Sequence, residues 1–240
     1  MISLVIPTYN EAKNIRQIII KSAKALSKCS EPSEIIVVDD NSSDGTGHIV
    51  QVMKKLNKGL GRSELRLCVR KKERDLSTAV LKGFSLARGS IVGVIDADLS
   101  HNPELIPRLV EPLQKENADI SVGSRYVKGG GVKDWPVIRK GISRAATLLA
   151  RLLTPVKDPM SGYFFIRKAI VQKAAKTMKP KGYKILLELL VKTKHGPVTE
   201  VPYIFNDRVK GTSKIGSKVM LKYVTQLWDL YWYRMFHFGK

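Results

Sequence analysis

Asp96 and Asp98 stand at i and i+2 around Ala97, directly after the apolar run Ile91-Val92-Gly93-Val94-Ile95. A buried strand that ends on two carboxylates can hold a divalent cation against a diphosphate, because Mg²⁺ and Mn²⁺ favour one or two carboxylates together with substrate phosphate oxygens. A second acidic cluster, Asp39-Asp40-Asn41-Ser42-Ser43-Asp44, follows the apolar run Ile35-Ile36-Val37-Val38. Asp39 and Asp40 can accept hydrogen bonds from a base or a ribose. Each cluster alone also fits an ordinary strand-end turn. Together, at two strand ends, they point to a metal-assisted site for a nucleotide-linked substrate.

The surrounding pattern must deliver those carboxylates to one edge. Ile2 to Ile6 is short and apolar and stops at Pro7, which predicts a first buried strand. Tyr9 can stack a nucleobase, and Asn10 opens a helix to about Ala25 with Ile15, Ile18 and Ile19 on one face. Strands follow at Ile35–Val38, Leu65–Val69 and Ile91–Ile95. Helices begin near Asp44 or Thr46, good capping residues, and run over Leu76–Ala87 and Pro103–Gln114. Four alternations of strand and helix predict an α/β fold with a mostly parallel, doubly wound sheet and its site at the carboxyl ends of the strands. The rhythm then breaks: a strand at Ile120–Gly123, a flexible Gly129-Gly130-Gly131, a helix from about Pro136 to Leu153 and a turn over Pro155–Gly162. Beyond them a strand at Tyr163–Ile166, a helix at Ile185–Lys192 and a strand at Val198–Phe205 are expected. Residues 1–215 are read as one catalytic domain and 216–240 as an aromatic-rich, amphipathic closing segment.

Composition bounds the function. The 240 residues carry 42 basic and 21 acidic side chains, a net charge of +21, so the partner is a polyanion: nucleic acid, an anionic membrane surface or a phosphorylated substrate. An apolar fraction of 43% excludes a disordered chain. Cys29 and Cys68 alone cannot make a disulfide framework or a Cys-rich zinc site, which favours the cytoplasm. No basic start precedes an apolar leader, and no apolar run reaches the ~20 residues needed to span a bilayer. A soluble or peripheral protein is expected.

Three ordered motifs carry a resemblance: Ser3-Leu4-Val5-Ile6-Pro7-Thr8-Tyr9-Asn10-Glu11, Val37 to Thr46, and Asp96-Ala97-Asp98-Leu99-Ser100-His101. Together they resemble the inverting family 2 glycosyltransferases. Gly123-Ser124-Arg125-Tyr126, Trp135-Pro136-Val137-Ile138-Arg139-Lys140, Asp158 to Tyr163 and Glu200 to Phe205 narrow the likeness to the branch that makes dolichyl-phosphate mannose. The resemblance runs over nearly the whole chain. It implies a GT-A fold, a GDP-mannose donor, Mg²⁺ or Mn²⁺, and a dolichyl or polyprenyl phosphate acceptor. It places Pro7, Tyr9, Glu11, Val38 and Asp40 on the nucleotide. Asp96, Ala97 and Asp98 are placed on nucleotide and metal, with Asp98 at the chemistry. The third metal position, two past the second Asp, is often Gln in the family; here it is Ser100, a shorter and weaker ligand.

The acceptor side follows from chemistry as well. A phosphate dianion is already a nucleophile, so no side chain must deprotonate it. Arg and Lys must instead gather one anion beside another. Arg125, Arg139, Arg208, Lys210 and Lys214 are available, and Arg139 and Ser143 share one helix face at i and i+4. The resemblance matches Arg125, Arg139, Ser143 and Arg208 to phosphate-binding positions, and Arg125 and Arg208 join Asp98 as catalytic candidates. Lys214 is added to the acceptor set. His101 beside the acidic triplet is read as supportive.

A membrane surface is the remaining expected partner. Ile138, Ile142, Ala145, Leu149 and Leu152 form one stripe, ringed by Arg139, Lys140, Arg144 and Arg151; such a helix fits either a lipid interface or ordinary core packing. The segment Leu227 to Phe238 has the Trp and Tyr density of the headgroup region. The expected location is the cytoplasmic face of a plasma membrane or endoplasmic reticulum, with a small membrane-anchoring subunit as a further partner. The rivals are the same chemistry with UDP-glucose and, in a different class, a nucleic-acid-binding module. The second leaves paired strand-end carboxylates unexplained, so no nucleic acid is expected.

Overall fold

The computed structural model describes residues 1–133, 135–174, 178, 184–206 and 217–237. Strands β1 (Ile2–Thr8) and β2 (Ser33–Asp39) are buried along their whole length, as strands covered on both faces must be. They run parallel, with Pro7 opposite Val38 and Thr8 opposite Asp39. β3 (Ser63–Val69) adds beside β2 and β4 (Ile91–Val94) beside β1, both parallel. The carboxyl ends of β1, β2 and β4 are therefore neighbours, which brings the two acidic clusters to one edge.

The seven-stranded sheet has the order β3-β2-β1-β4-β7-β5-β8. β5 (Ile120–Ser124) and β8 (Val198–Pro202) are parallel to each other. β7 (Phe164–Arg167) lies between β4 and β5 and is antiparallel to both. Gly93 faces Phe165 across that pairing, and a β-carbon at 93 would overlap the Phe165 ring.

Side-chain alternation along the strands divides the core into two layers. Ile2, Leu4 and Ile6 pack with α1 (Ile15–Leu26), α2 (Thr46–Leu56) and α4 (Ile106–Lys115). Val5, Ile36 and Val38 pack with α3 (Leu76–Leu86), α6 (Lys168–Ala174) and α7 (Ile185–Lys192). A smaller cluster joins α5 (Val137–Arg151) to α7 and α8 (Ser217–His237) through Ala150, Leu187, Val191, Leu227 and Leu230.

The structure moves three predicted boundaries. The first helix starts at Ile15 rather than Asn10, because Asn10 sits at φ 57° and serves the loop instead. The Pro103 helix opens as a 3₁₀ turn over Pro103–Leu105 before α4 begins. The strand expected over Val198–Phe205 breaks at Tyr203. β8 stays in the main sheet, while β9 (Ile204–Phe205) leaves it to pair with β6 (Gly131–Val132).

Candidate active site

The loops after β1 and β2 are stitched together by short polar side chains. The Asn10 N–H donates to Ser42 Oγ (2.9 Å) and the Ser43 N–H to Asn10 Oδ1 (3.1 Å). The Glu11 N–H donates to Thr46 Oγ1 and the Ala12 N–H to Asp44 Oδ2, each at 2.9 Å. Asp39 accepts from Thr8 Oγ1 and the Ser42 N–H, so it holds the loop rather than facing outward. Asp40 receives the Arg70 guanidinium as a fork, 2.6 and 2.8 Å, with both side chains 7% exposed. A carboxylate has about four lone-pair sites, so Asp40 keeps accepting capacity beyond that fork. Tyr9 is half-buried beneath Arg74, whose guanidinium carbon lies 4.1 Å from the ring centroid. Glu11 accepts from Asn14 Nδ2. Pro7 lies buried in β1, and the Val38 side chain is fully enclosed in the core.

On the neighbouring strand the Ile95 N–H still bonds to the Val5 carbonyl (3.1 Å), and Asp96 emerges next. Ala97 is buried in the core beneath the loop. Asp98, also buried, accepts the Ser100 N–H at 3.0 Å. Leu99 between them sits at φ 64°, a region that a bulky residue occupies only under constraint. The turn aims Ser100 Oγ into a buried position where it has no hydrogen-bond partner. Two carboxylates and a buried hydroxyl form an oxygen donor set, which suits a hard divalent cation completed by substrate oxygens. Among the described residues no third His, Cys, Asp or Glu joins them.

His101 backs this turn. Its Nδ1 accepts the Asp96 N–H at 3.3 Å, and its ring stacks on Tyr163 with centroids 5.1 Å apart. Burial pushes its pKa down to about 4, against the pull of Asp98, so the ring is neutral with its proton on Nε2. Gly162 closes over the pair; a β-carbon there would come within 3.4 Å of His101 Cε1 and 3.5 Å of Asp96 Oδ2.

The basic residues gather at the end of β5. Arg125 grips Asp158 through Nε and Nη2 at 2.8 Å each, and its own N–H donates to the same carboxylate at 2.9 Å. Arg139 lies over the Trp135 ring at 4.1 Å, and Tyr126 Oη meets Ser143 Oγ at 2.9 Å. Arg125, Tyr126, Trp135, Lys140 and Arg144 line a cavity of about 120 Å³. Arg125, Arg139 and Ser143 are thus brought together. Arg208, Lys210 and Lys214 lie outside the described residues.

Two functional candidates escape sequence reasoning. Asp158 appears there only as part of a motif, yet it carries the whole Arg125 fork. Lys184 has no local signal at all. Its amine donates to the Met160 carbonyl at 3.3 Å. Burial and the nearby Arg125 push its pKa down to about 8, against the pull of Asp158 and Asp96.

The apolar stripe of α5 faces outward. Ile138 is 77% exposed and Leu152 65%, while Thr147 and Ala150 turn inward, which rules out core packing for the stripe. α8 lies alongside: Tyr223 Oη donates to the Ala146 carbonyl, Tyr231 Oη to Leu149 and Arg234 to Leu152. α8 exposes Trp228, Trp232, Met235 and Phe236, with Trp232 stacked on Phe236 at 5.1 Å. No described helix is long and apolar enough to cross a membrane.

Residues 3–174 match the model of Glycosyl transferase family 2. The chain is similar to the dolichol-phosphate mannosyltransferase of Pyrococcus furiosus, 40% identical over 233 residues, covering 95% of this chain and 63% of that relative. It therefore spans less than two thirds of that relative's length. The dolichol-phosphate mannosyltransferase of Saccharomyces cerevisiae is 38% identical over 245 residues, covering 99% of this chain and 88% of its own. Among solved structures, glucosyl-3-phosphoglycerate synthase from Mycobacterium tuberculosis, with Mn²⁺, uridine diphosphate and glucosyl-3-phosphoglycerate, matches at TM-score 0.65 and 20% identity. That match covers 98% of this chain and 79% of the synthase. The same synthase is also solved with Mg²⁺ and uridine diphosphate. This likeness shows the fold alone, an α/β architecture of GT-A type.

Proposed function

Because the chain belongs to glycosyl transferase family 2, in its dolichol-phosphate mannosyltransferase branch, we propose that it transfers mannose from GDP-mannose to dolichyl or polyprenyl phosphate with inversion. The observation that carries this reading is geometric: His101, whose Nδ1 accepts the Asp96 N–H, meets the Phe205 ring edge-on at 5.7 Å, and the Arg125 guanidinium that pairs with Asp158 lies 5.9 Å from that same ring. The strand-end carboxylates and the phosphate-binding arginines thereby share one site.

An acceptor phosphate oxygen attacks the anomeric carbon. The new oxygen–carbon bond forms as the bond from that carbon to the diphosphate oxygen breaks, and GDP leaves with the electron pair. No proton need be removed, and the buried imidazole of His101 is neutral with Nδ1 already committed to the Asp96 N–H. Asp40 and Tyr9 orient the nucleoside, and Asp96, Asp98 and Ser100 would hold the divalent cation. That cation, Mg²⁺ or Mn²⁺, supplies charge neutralisation for the departing diphosphate. Arg125, fixed by Asp158, aligns the acceptor phosphate with Arg139 and Ser143, and the resemblance adds Arg208 and Lys214. The outward faces of α5 and α8, bordered by Arg144, Arg151 and Arg234, rest on an anionic cytoplasmic membrane surface, where a lipid-linked acceptor presents its phosphate.

The test is transfer of labelled sugar into the organic phase. GDP-mannose, UDP-glucose and UDP-N-acetylglucosamine are offered separately with dolichyl phosphate and Mn²⁺, beside a chelator control. Chelator-sensitive transfer from GDP-mannose alone is the expected result. Transfer from a UDP-sugar corrects the donor, and none from any donor overturns the reading.

The pH dependence supplies a second check. A lysine at about 8 in the folded protein loses its charge as pH rises through that value, and kcat/KM reports groups of the free enzyme. The kcat/KM for GDP-mannose is therefore expected to fall above pH about 8, and Lys184→Met to lower the plateau and flatten that limb. Folding stability should move the opposite way. Between about 8 and the ordinary lysine value the unfolded chain binds the extra proton, so this group's contribution rises with pH in that window.

A further inference from the structure

The break of the predicted strand at Tyr203 puts one ring where two halves of the site meet. The Tyr203 N–H stays bonded to the Ser124 carbonyl (3.1 Å), while Tyr203 and Phe205 carbonyls accept from the Gly131 and Lys133 N–H groups at 3.0 and 2.9 Å. This ribbon holds Phe205 edge-on to His101, with centroids 5.7 Å apart at 77°, and edge-on to Trp135, at 5.4 Å and 70°. His101 receives the Asp96 N–H, and Trp135 carries the Arg139 guanidinium. Arg125 lies 5.9 Å from both the Phe205 and Trp135 centroids. Among the described residues, Phe205 is the aromatic ring that meets both His101 and Trp135.

We infer that Phe205 is a positioning residue, which sets the separation and angle between the Asp96–Asp98 turn and the arginines that align the acceptor phosphate. The inference rests on the proposed transfer reaction. Burial alone does not call for phenylalanine here: the ring is partly buried against the core at the end of a two-residue strand, a place that any large apolar side chain could fill. Its edge-to-face contacts do, because they fix an angle as well as a distance, and a leucine would fill similar space without fixing either. The arginines and carboxylates would all remain in a leucine variant, displaced relative to one another. The effect therefore falls on the alignment of attack rather than on the affinity for either substrate.

Phe205→Leu is expected to lower kcat about tenfold or more, while KM for each substrate stays within about threefold, in line with the steep dependence of rate on near-attack geometry. Phe205→Tyr, which keeps the ring, restores kcat. Trp135→Leu interrupts the same path, so the double variant is expected to lose no more than the worse single one, whereas independent packing losses would multiply. A second readout needs no transfer. In a Trp228→Phe/Trp232→Phe background only Trp135 emits, and Phe205→Leu should shift its emission to the red and open it to acrylamide while Phe205→Tyr does not. The inference is overturned by an unchanged kcat in Phe205→Leu, by a loss confined to KM, by multiplicative losses or by an unmoved Trp135 emission. A silent wild type with the emission shift present overturns the transfer reading instead.

Discussion

Asp98→Asn is expected to reduce transfer from GDP-mannose by about 10³-fold, given several kcal/mol of charge stabilisation at the diphosphate and about 1.4 kcal/mol per tenfold in rate. The substitution keeps shape. The Asn carbonyl oxygen can still accept the Ser100 N–H that Asp98 accepts at 3.0 Å, so the turn through Leu99 survives. What is lost is half of the carboxylate charge that the strand end presents beside Ser100 Oγ. The thermal midpoint should therefore stay near wild type while Mn²⁺ affinity, followed by titration, falls together with kcat/KM. Retention of activity in Asp98→Asn would remove this residue from the chemistry, and a collapsed midpoint would reassign it to holding the turn.

Asp158→Asn should damage the fold and the reaction together. The Asp158 side chain is fully enclosed and receives two guanidinium hydrogen bonds and one main-chain hydrogen bond from Arg125, itself only 10% exposed. Although burial works against the guanidinium charge, Asp158 holds Arg125 firmly protonated. Removing one partner of such a pair leaves a buried cation uncompensated and costs about 3–5 kcal/mol. For a chain of this size that corresponds to a melting temperature lower by roughly 10 °C. Adding Arg125→Met removes the stranded charge, and a flexible thioether suits the Tyr126, Trp135 and Phe205 rings around it. The double variant is expected to recover most of the midpoint and none of the transfer. Recovery of both would show that Arg125 is structural.

The first half of the sheet is legible in the chain because Ile2–Ile6, Ile35–Val38 and Ile91–Val94 are mostly aliphatic, uncharged runs, interrupted only by Ser3 and Gly93, long enough for buried parallel strands and too short for helices. Their common edge follows from the alternation, which is why the placement of Asp40 and Asp96 is readable from residue order. Direction and partner are different quantities. Nothing in Phe164–Arg167 says that it runs antiparallel, or that it enters between β4 and β5, because periodicity specifies a face and not a neighbour. The same limit hides the α5 stripe: spacing shows that Ile138, Ile142 and Leu149 share a side, but only the packed molecule shows that the side is open. Asp158 and Lys184 are invisible for a related reason. The Arg125 partner lies 33 residues away in the chain, and the lowered pKa of the Lys184 amine is created by burial in the folded molecule and by Arg125, from a distant segment. Asn10 misleads because the residue that caps helices so well also tolerates a left-handed turn.

The late arrival of β7 bears on how the protein is made. β4 ends at Val94 and β5 at Ser124, yet the seat between them is filled only by Phe164–Arg167. A growing chain that has released β5 therefore still carries an open β4 edge, a row of unpaired backbone groups that invites any other extended segment. The 40 residues from Ser124 to Phe164 take roughly 2–8 s to synthesise at about 5–20 residues per second. Throughout that interval the nascent sheet is in two pieces. Chaperone demand and aggregation during synthesis should therefore peak before the Phe164 codon has been read and its residue has cleared the ribosome, and slower codons upstream of it would lengthen the exposure.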